Sequence, residues 1–208
     1  MGFKKYEDEK SLDFDVLKEI GSIGTGNAAT ALSTVLGKKI TMTVPEVKLV
    51  EFNKAIYELG GPEKIVAAVL VELSGEVQGL MLFLQNLKFI NTVLGGLLND
   101  HIEDLSQIDA METSALTEVG NIIISSYINA MSSLTGITMN LSVPSVAINM
   151  LGGIMDVPIA MYGYTMDHLM TINGTFLCDG EEVYSKLLLL PTEESLDHIL
   201  HKLGVVGH

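Results

Sequence analysis

Two copies of one polar pattern lie 99 positions apart in this chain, and that repeat constrains the fold more than any other feature. Asp15, Glu19 and Ser22 recur as Ser114, Glu118 and Asn121, and the phase persists to a proline, Pro45 in the first copy and Pro144 in the second. Positions four and three apart share a helix face. Each copy therefore offers a hydroxyl or carboxylate, then a glutamate, then a small polar group along one side of a helix. The prolines sit in matching valine-rich runs, Thr43-Val44-Pro45-Glu46-Val47 and Ser142-Val143-Pro144-Ser145-Val146. A phase kept over that length predicts two similar halves, about 11–100 and 105–204, closed into one domain of 208 residues.

Composition narrows the functional classes. Hydrophobic residues make up 48% of the chain and mean hydropathy is +0.38. Even so, nothing reaches the ~18 uninterrupted apolar residues of a membrane-spanning helix. Residues 79–98 come nearest and are broken by Gln85, Asn86, Lys88 and Asn91. The polar, mixed-charge start does not read as a leader peptide, and a soluble cytoplasmic protein without membrane insertion is expected. A net charge of −14, with the 12 basic residues scattered, argues against nucleic acid as a partner, because that affinity rests on clustered Lys and Arg. Cys178 is the single cysteine; it excludes an intrachain disulfide and a thiolate metal cage and reads as a small buried or half-buried apolar residue. His198, His201 and Glu194 have helical spacing that suits a metal but lack a fourth ligand, so they read as surface residues and no metal site is expected. No serine or cysteine stands in a nucleophile motif.

Periodicity predicts helix, helix, strand, hairpin, helix in each half. In the first half, a helix starts at a Ser11 or Asp13 cap and runs to about Gly21, and a small-residue helix covers 28–36 before Gly37. A strand spans 38–50, with Pro45 marking an edge or a bulge. A hairpin of 65–72 and 77–84 turns at Ser74-Gly75, and a helix covers 86–98. In the second half, a helix covers 105–126, and 127–135 either continues it or forms another helix ended by Gly136. A strand covers 137–148, a hairpin of 169–176 and 183–190 turns at Asp179-Gly180, and a helix over 192–203 closes at Gly204. Segment 149–167, with Met150, Met155, Met161 and Met166, has a less regular pattern and reads as adaptable core before a partner surface; a small-molecule site there rests on composition alone.

The run Gly21-Ser22-Ile23-Gly24-Thr25-Gly26-Asn27 looks superficially like a phosphate-binding loop. It follows a helical pattern instead of a strand, lacks the P-loop lysine and sits in an acidic chain. Its small residues are read as letting a helix approach its twin or a sheet closely.

An Asp or Ser, a Glu four on, an Asn three on and a Pro after 22 intervening residues, twice in one chain, resembles the CheC family of chemotaxis phosphatases, relatives of CheX and FliY. The resemblance spans residues 12–203. It implies an α+β fold of pseudo-twofold symmetry, two helix-helix-strand-hairpin-helix repeats sharing an antiparallel sheet on which the paired motif helices lie. It also implies hydrolysis of the aspartyl-phosphate of a CheY-type response regulator, with Mg²⁺ held by the regulator and no cofactor of the chain's own. Transferred residue by residue, Glu118 would pair with a lysine at the regulator's active site and Asn121 would hold the attacking water. Ser114 would steady Glu118, and Gly120, like Gly21, would let another backbone approach. Asp15 reads as a charge favouring its helix N-terminus, and the two prolines as structural.

The first copy departs from the family pattern at Ser22. An amide oxygen can accept from water while its NH₂ donates to a phosphoryl oxygen, whereas serine is shorter and has one donor. The site of Asp15, Glu19 and Ser22 is therefore expected to be weak or inactive. The alternative from another class is a non-catalytic adaptor for a CheD-like receptor deamidase or a flagellar-switch component; a CheD-like deamidase is also a further partner the resemblance implies for the enzyme. Two copies in one chain can replace a dimer of single-copy subunits, which favours a monomer.

Overall fold

A computed structural model of the chain describes residues 13–162 and 168–204. Its elements in order are α1 (Asp13–Leu36), β1 (Ile40–Met42), β2 (Glu46–Glu51), α2 (Phe52–Glu58), β3 (Ile65–Gly75), β4 (Gly79–Gln85), α3 (Leu87–Leu97), a 3-10 turn (Leu105–Gln107), α4 (Ala110–Thr135), β5 (Met139–Leu141), β6 (Ser145–Met150), α5 (Leu151–Tyr162), β7 (His168–Cys178), β8 (Glu181–Pro191) and α6 (Glu193–Lys202).

The strands form one antiparallel sheet of eight, in the order β1-β7-β8-β4-β3-β5, with β2 also on β7 and β6 on β3. Side chains alternate across it. Ala67, Val69, Val71, Met81 and Phe83 enter one core, against α1, α3 and α4. Val66, Ala68, Leu70, Leu80, Leu82 and Leu84 enter the other, against α2 and α5. With both faces covered, the inner strands read as unbroken apolar runs.

The halves exchange edges. β1 and β2 pair with β7 of the second half, β5 and β6 pair with β3 of the first, and β4 joins β8 in the middle. Their registers correspond: Thr43 N–H donates to the Thr175 carbonyl at 3.0 Å as Ser142 N–H donates to that of Glu72 at 3.0 Å. Likewise Glu46 opposes Asn173 as Ser145 opposes Leu70.

Local structure departs from the periodic reading at five places, one of them the first hairpin, where Ser74 and Gly75 stay in β3 to pair with β5 and the turn falls at 76–78. The expected pair of N-terminal helices is a single helix of 24 residues, because glycines 21, 24 and 26 tolerate helical backbone and two of them are needed for packing. In the second half 127–135 continues α4 to Gly136, whose φ of +70° ends it; the helix begins at Ala110 and not at 105, since Asp109 is the cap. Pro45 and Pro144 each split the expected strand into two short ones, as a residue with no N–H to give to a ladder does. Finally, α2 and α5 occupy stretches with no helical signal; α5 contains Gly152, Gly153 and Pro158 and is held by burying Leu151, Ile154 and Met155. Each half is thus helix, two short strands, helix, hairpin, helix. The expected cap Ser11, and Met166 of the methionine-rich segment, lie outside the described residues, as does the side chain of Asp13.

Candidate functional site on the paired long helices

Asp109 fixes where α4 begins. Its carboxylate accepts from the Met111 and Glu112 amides, both at 2.8 Å, and Glu112 Oε2 accepts from the Asp109 N–H at 2.7 Å, so the first turn's orphan donors are satisfied in a capping box. From there Leu116, Val119, Ile123, Ile124 and Tyr127 are buried. That face being spent on the core, Ser114 and Glu118 are exposed and Asn121 is half-buried. Among the described residues, the Glu118 and Asn121 side chains have no hydrogen-bond or ion-pair partner.

α1 repeats the arrangement: Ile20 is buried, Glu19 exposed and Ser22 half-buried. Glu19 and Ser22 side chains also lack a polar partner among the described residues. Asp15 lies in the first turns of α1, and its side chain falls outside the described residues.

One supporting role is corrected. Ser114 Oγ donates to the Ala110 carbonyl at 2.9 Å, a bond to its own helix backbone that leaves Glu118 unsteadied by it. Gly120 is buried, and a Cβ there would lie 2.5 Å from Val69 Cγ2; the glycine lets α4 settle closely on β3. Gly21 does the same for α1, where a Cβ would lie 2.8 Å from Val47 Cγ2 and 3.1 Å from Pro45 Cγ. Pro45 is itself buried, in keeping with a structural part.

The two helices are keyed together. A Cβ on Gly24 would lie 2.5 Å from the Tyr127 ring, so α1 and α4 touch where a side chain is missing. Beside it Thr25 donates to the Gly21 carbonyl at 2.6 Å and shares a hydrogen bond with the Tyr127 hydroxyl. Burial, opposed by the Thr25 bond, pushes the Tyr127 phenol up to about 12. This contact fixes one polar helix face relative to the other.

Sequence reasoning missed one surface feature. Val44 is 77% exposed and Val143 89% exposed, twofold-related apolar side chains at the strand breaks, with the first next to the buried Pro45. The recurrence of Val-Pro at the repeat spacing was the available signal. No group of three or more His, Cys, Asp or Glu is placed to hold a metal among the described residues; His198 Nε2 instead lies 4.0 Å from Glu76 Oε1. No helix among the described residues is long and apolar enough to cross a membrane.

Fold and site together define a class: a two-repeat α+β protein presenting a glutamate and a small polar residue from each of two keyed helices. The CheC-like family matches residues 14–49 and 111–148, the two stretches that carry the repeated pattern and its proline. Over 201 residues the chain is 31% identical to the CheY-P phosphatase CheC of Bacillus subtilis (strain 168), covering 94% of this chain and 95% of that one. The chain belongs to the CheC-like family. Among solved structures, Thermotoga maritima FliY aligns with a TM-score of 0.71 at 23% identity, over 94% of this chain and 97% of that one. The middle domain of FliM from H. pylori aligns with a TM-score of 0.66 at 10% identity, over 93% and 99%. At those identities the likeness concerns the fold.

Proposed function

We propose that the chain is a cytoplasmic chemotaxis phosphatase that removes the phosphoryl group from the aspartate of a CheY-type response regulator, acting through Glu118 and Asn121. The observation that carries this reading is the polar face of α4, a carboxylate and an amide projecting from a rigid helix with no internal partner among the described residues. Polar side chains with no structural duty are free to bond to something outside. The family relationship to a CheY-P phosphatase supports the choice of substrate.

An acyl phosphate is hydrolysed by in-line attack of water, with charge neutralised by the regulator's own Mg²⁺, so the partner protein's task is positioning. Asn121 accepts a hydrogen bond from the attacking water and donates to a phosphoryl oxygen. Glu118, one turn away, pairs with an amine at the rim of the regulator's pocket and sets the depth of insertion. The exposed Val44 and Val143 supply apolar contacts at the strand breaks. Glu19 and Ser22 form a second site that serine leaves too short. The chain brings no cofactor of its own to the step and works as a monomeric single domain.

The test is phosphate release from a phosphorylated CheY-type regulator with Mg²⁺. Asn121→Ala is expected to lower the rate about a hundredfold, the usual cost of ~1 Å of misplacement, and Ser22→Ala to change it little; equal losses refute the asymmetry. The fold shared with FliM domains favours a second reading, an adaptor for a flagellar-switch component or a CheD-like deamidase. That reading requires no acceleration over spontaneous decay in the same assay.

A further inference from the structure

The local twofold makes a direct comparison possible on the sheet face opposite the motif helices. Leu70 pairs with Leu82 as Asn173 pairs with Lys186, and Ala68 is to Ala147 as Thr171 is to Lys48. In the first set every side chain is apolar; Ala68, Leu70 and Leu82 are buried in the core under α5, a helix of 12 residues. In the second set the covering helix, α2, has only 7 residues, and the equivalent positions open a cleft of about 340 Å³ whose lining includes Glu46, Lys48, Glu58, Thr171, Asn173 and Lys186. One position of the repeat is packed and its twin is polar and open.

Lys186 is the unusual member. Its neighbours are occupied: Lys48 is paired with Glu46 at 2.9 Å, and Lys64 donates to the Leu59 carbonyl at 3.0 Å. Lys186 is half-buried and has no hydrogen-bond or ion-pair partner among the described residues. Burial first, then the positive charges of Lys64 and Lys48, draw its pKa below the ordinary lysine value, with Glu58 opposing them. An ammonium on a half-buried residue, open to the cleft and without a partner, is a donor ready for a ligand, and leucine at the twin position shows that the fold does not require it there. Thr171 lies diagonally across the strand pair on the same face, within reach of a long side chain; it lines the cleft and has no side-chain hydrogen-bond partner among the described residues.

We propose that this cleft is a binding site for a small oxyanion, a phosphoryl or carboxylate group of a low-molecular-weight ligand, held by the Lys186 ammonium and the Thr171 hydroxyl. The volume is in the range of small-molecule pockets, and a charge-assisted bond supplies the partner that Lys186 lacks.

The experiment is an amide-shift titration of the full chain by NMR with inorganic phosphate, and separately with acetate, against chloride at constant ionic strength. Saturable shifts around Thr171 and Lys186 are expected in at least one arm, and the arm that saturates distinguishes a phosphoryl from a carboxylate ligand. Affinity should fall about tenfold or more in Lys186→Met and stay within about threefold in Lys186→Arg, as loss or retention of a charged donor dictates. Lys186→Met should melt at or above the parent temperature, so lost binding is not lost fold; Thr171→Val, which should also weaken binding, is a second variant. No saturable shift in either arm, or unchanged affinity in Lys186→Met, overturns the proposal.

Discussion

Asn121 and Ser22 occupy equivalent, half-buried helix positions, and the difference between an amide and a hydroxyl is what should separate an active from an idle site. Restoring the amide tests this from the opposite direction. Ser22→Asn should raise the phosphate-release rate, to about twice the parent value if the two sites act independently; no increase would mean that the first face is deficient for another reason. Tyr127 yields a prediction in pH. Its folded-state value of about 12 lies above the ordinary 10, so the native state holds the phenolic proton more tightly than the unfolded chain does. The stability this represents is complete below pH 10 and drains as pH rises towards 12. Tyr127→Phe should cost about 1 kcal/mol at neutral pH through the lost hydrogen bond, with Thr25 still bonded to Gly21, and should show a shallower decline across that alkaline window. Urea midpoints on both proteins measure it; Tyr162, also raised to about 12 by burial and Glu72, keeps some slope in the variant. At this scale the polar faces were legible, because spacing alone puts Glu118 and Asn121 on one side of a helix. The duty of Ser114 was not, because a hydroxyl can bond its own backbone, and spacing does not reveal that.

The glycines of α1 show how an element's sequence can mislead about its shape. A run with three glycines reads as a loop, since each costs roughly 1 kcal/mol in a helix relative to alanine. Here two of them face crowded neighbours and the third faces open space. Gly24→Ala should therefore destabilise by about 1–3 kcal/mol, the cost of overpacking against Tyr127, because backbone as well as ring lies within 3.0 Å of the new Cβ. Gly26→Ala, with nothing within 4 Å of its Cβ position, should stabilise by up to about 1 kcal/mol through helix propensity. Thermal or urea unfolding of the pair decides it, and the same sign in both would sink the packing explanation. The second hairpin, by contrast, was legible: Asp179 and Gly180 take positive φ of 54° and 85°, the conformation their residue types favour. The short α2 and the Gly- and Pro-containing α5 were not, since burial against the sheet and not propensity holds them.

For the whole molecule, the exchanged edges are decisive. Taken alone, residues 1–104 would leave β3 without β5 and β6, and β4 without β8, exposing apolar strand edges that invite aggregation. The chain is expected to unfold in one cooperative transition, and this half alone to show none in urea, recovering one on mixing with 105–208; two transitions in the intact chain would contradict it. By itself the sequence determined the repeat, the polar face of each long helix and the strands, because these follow from the period at which apolar and polar side chains recur. Only the tertiary structure decided that the halves trade strands, that the glycines serve internal contacts, and that one repeat is packed where its twin is open. Those outcomes depend on which residues meet across a hundred positions of chain, and local periodicity contains no information about such meetings.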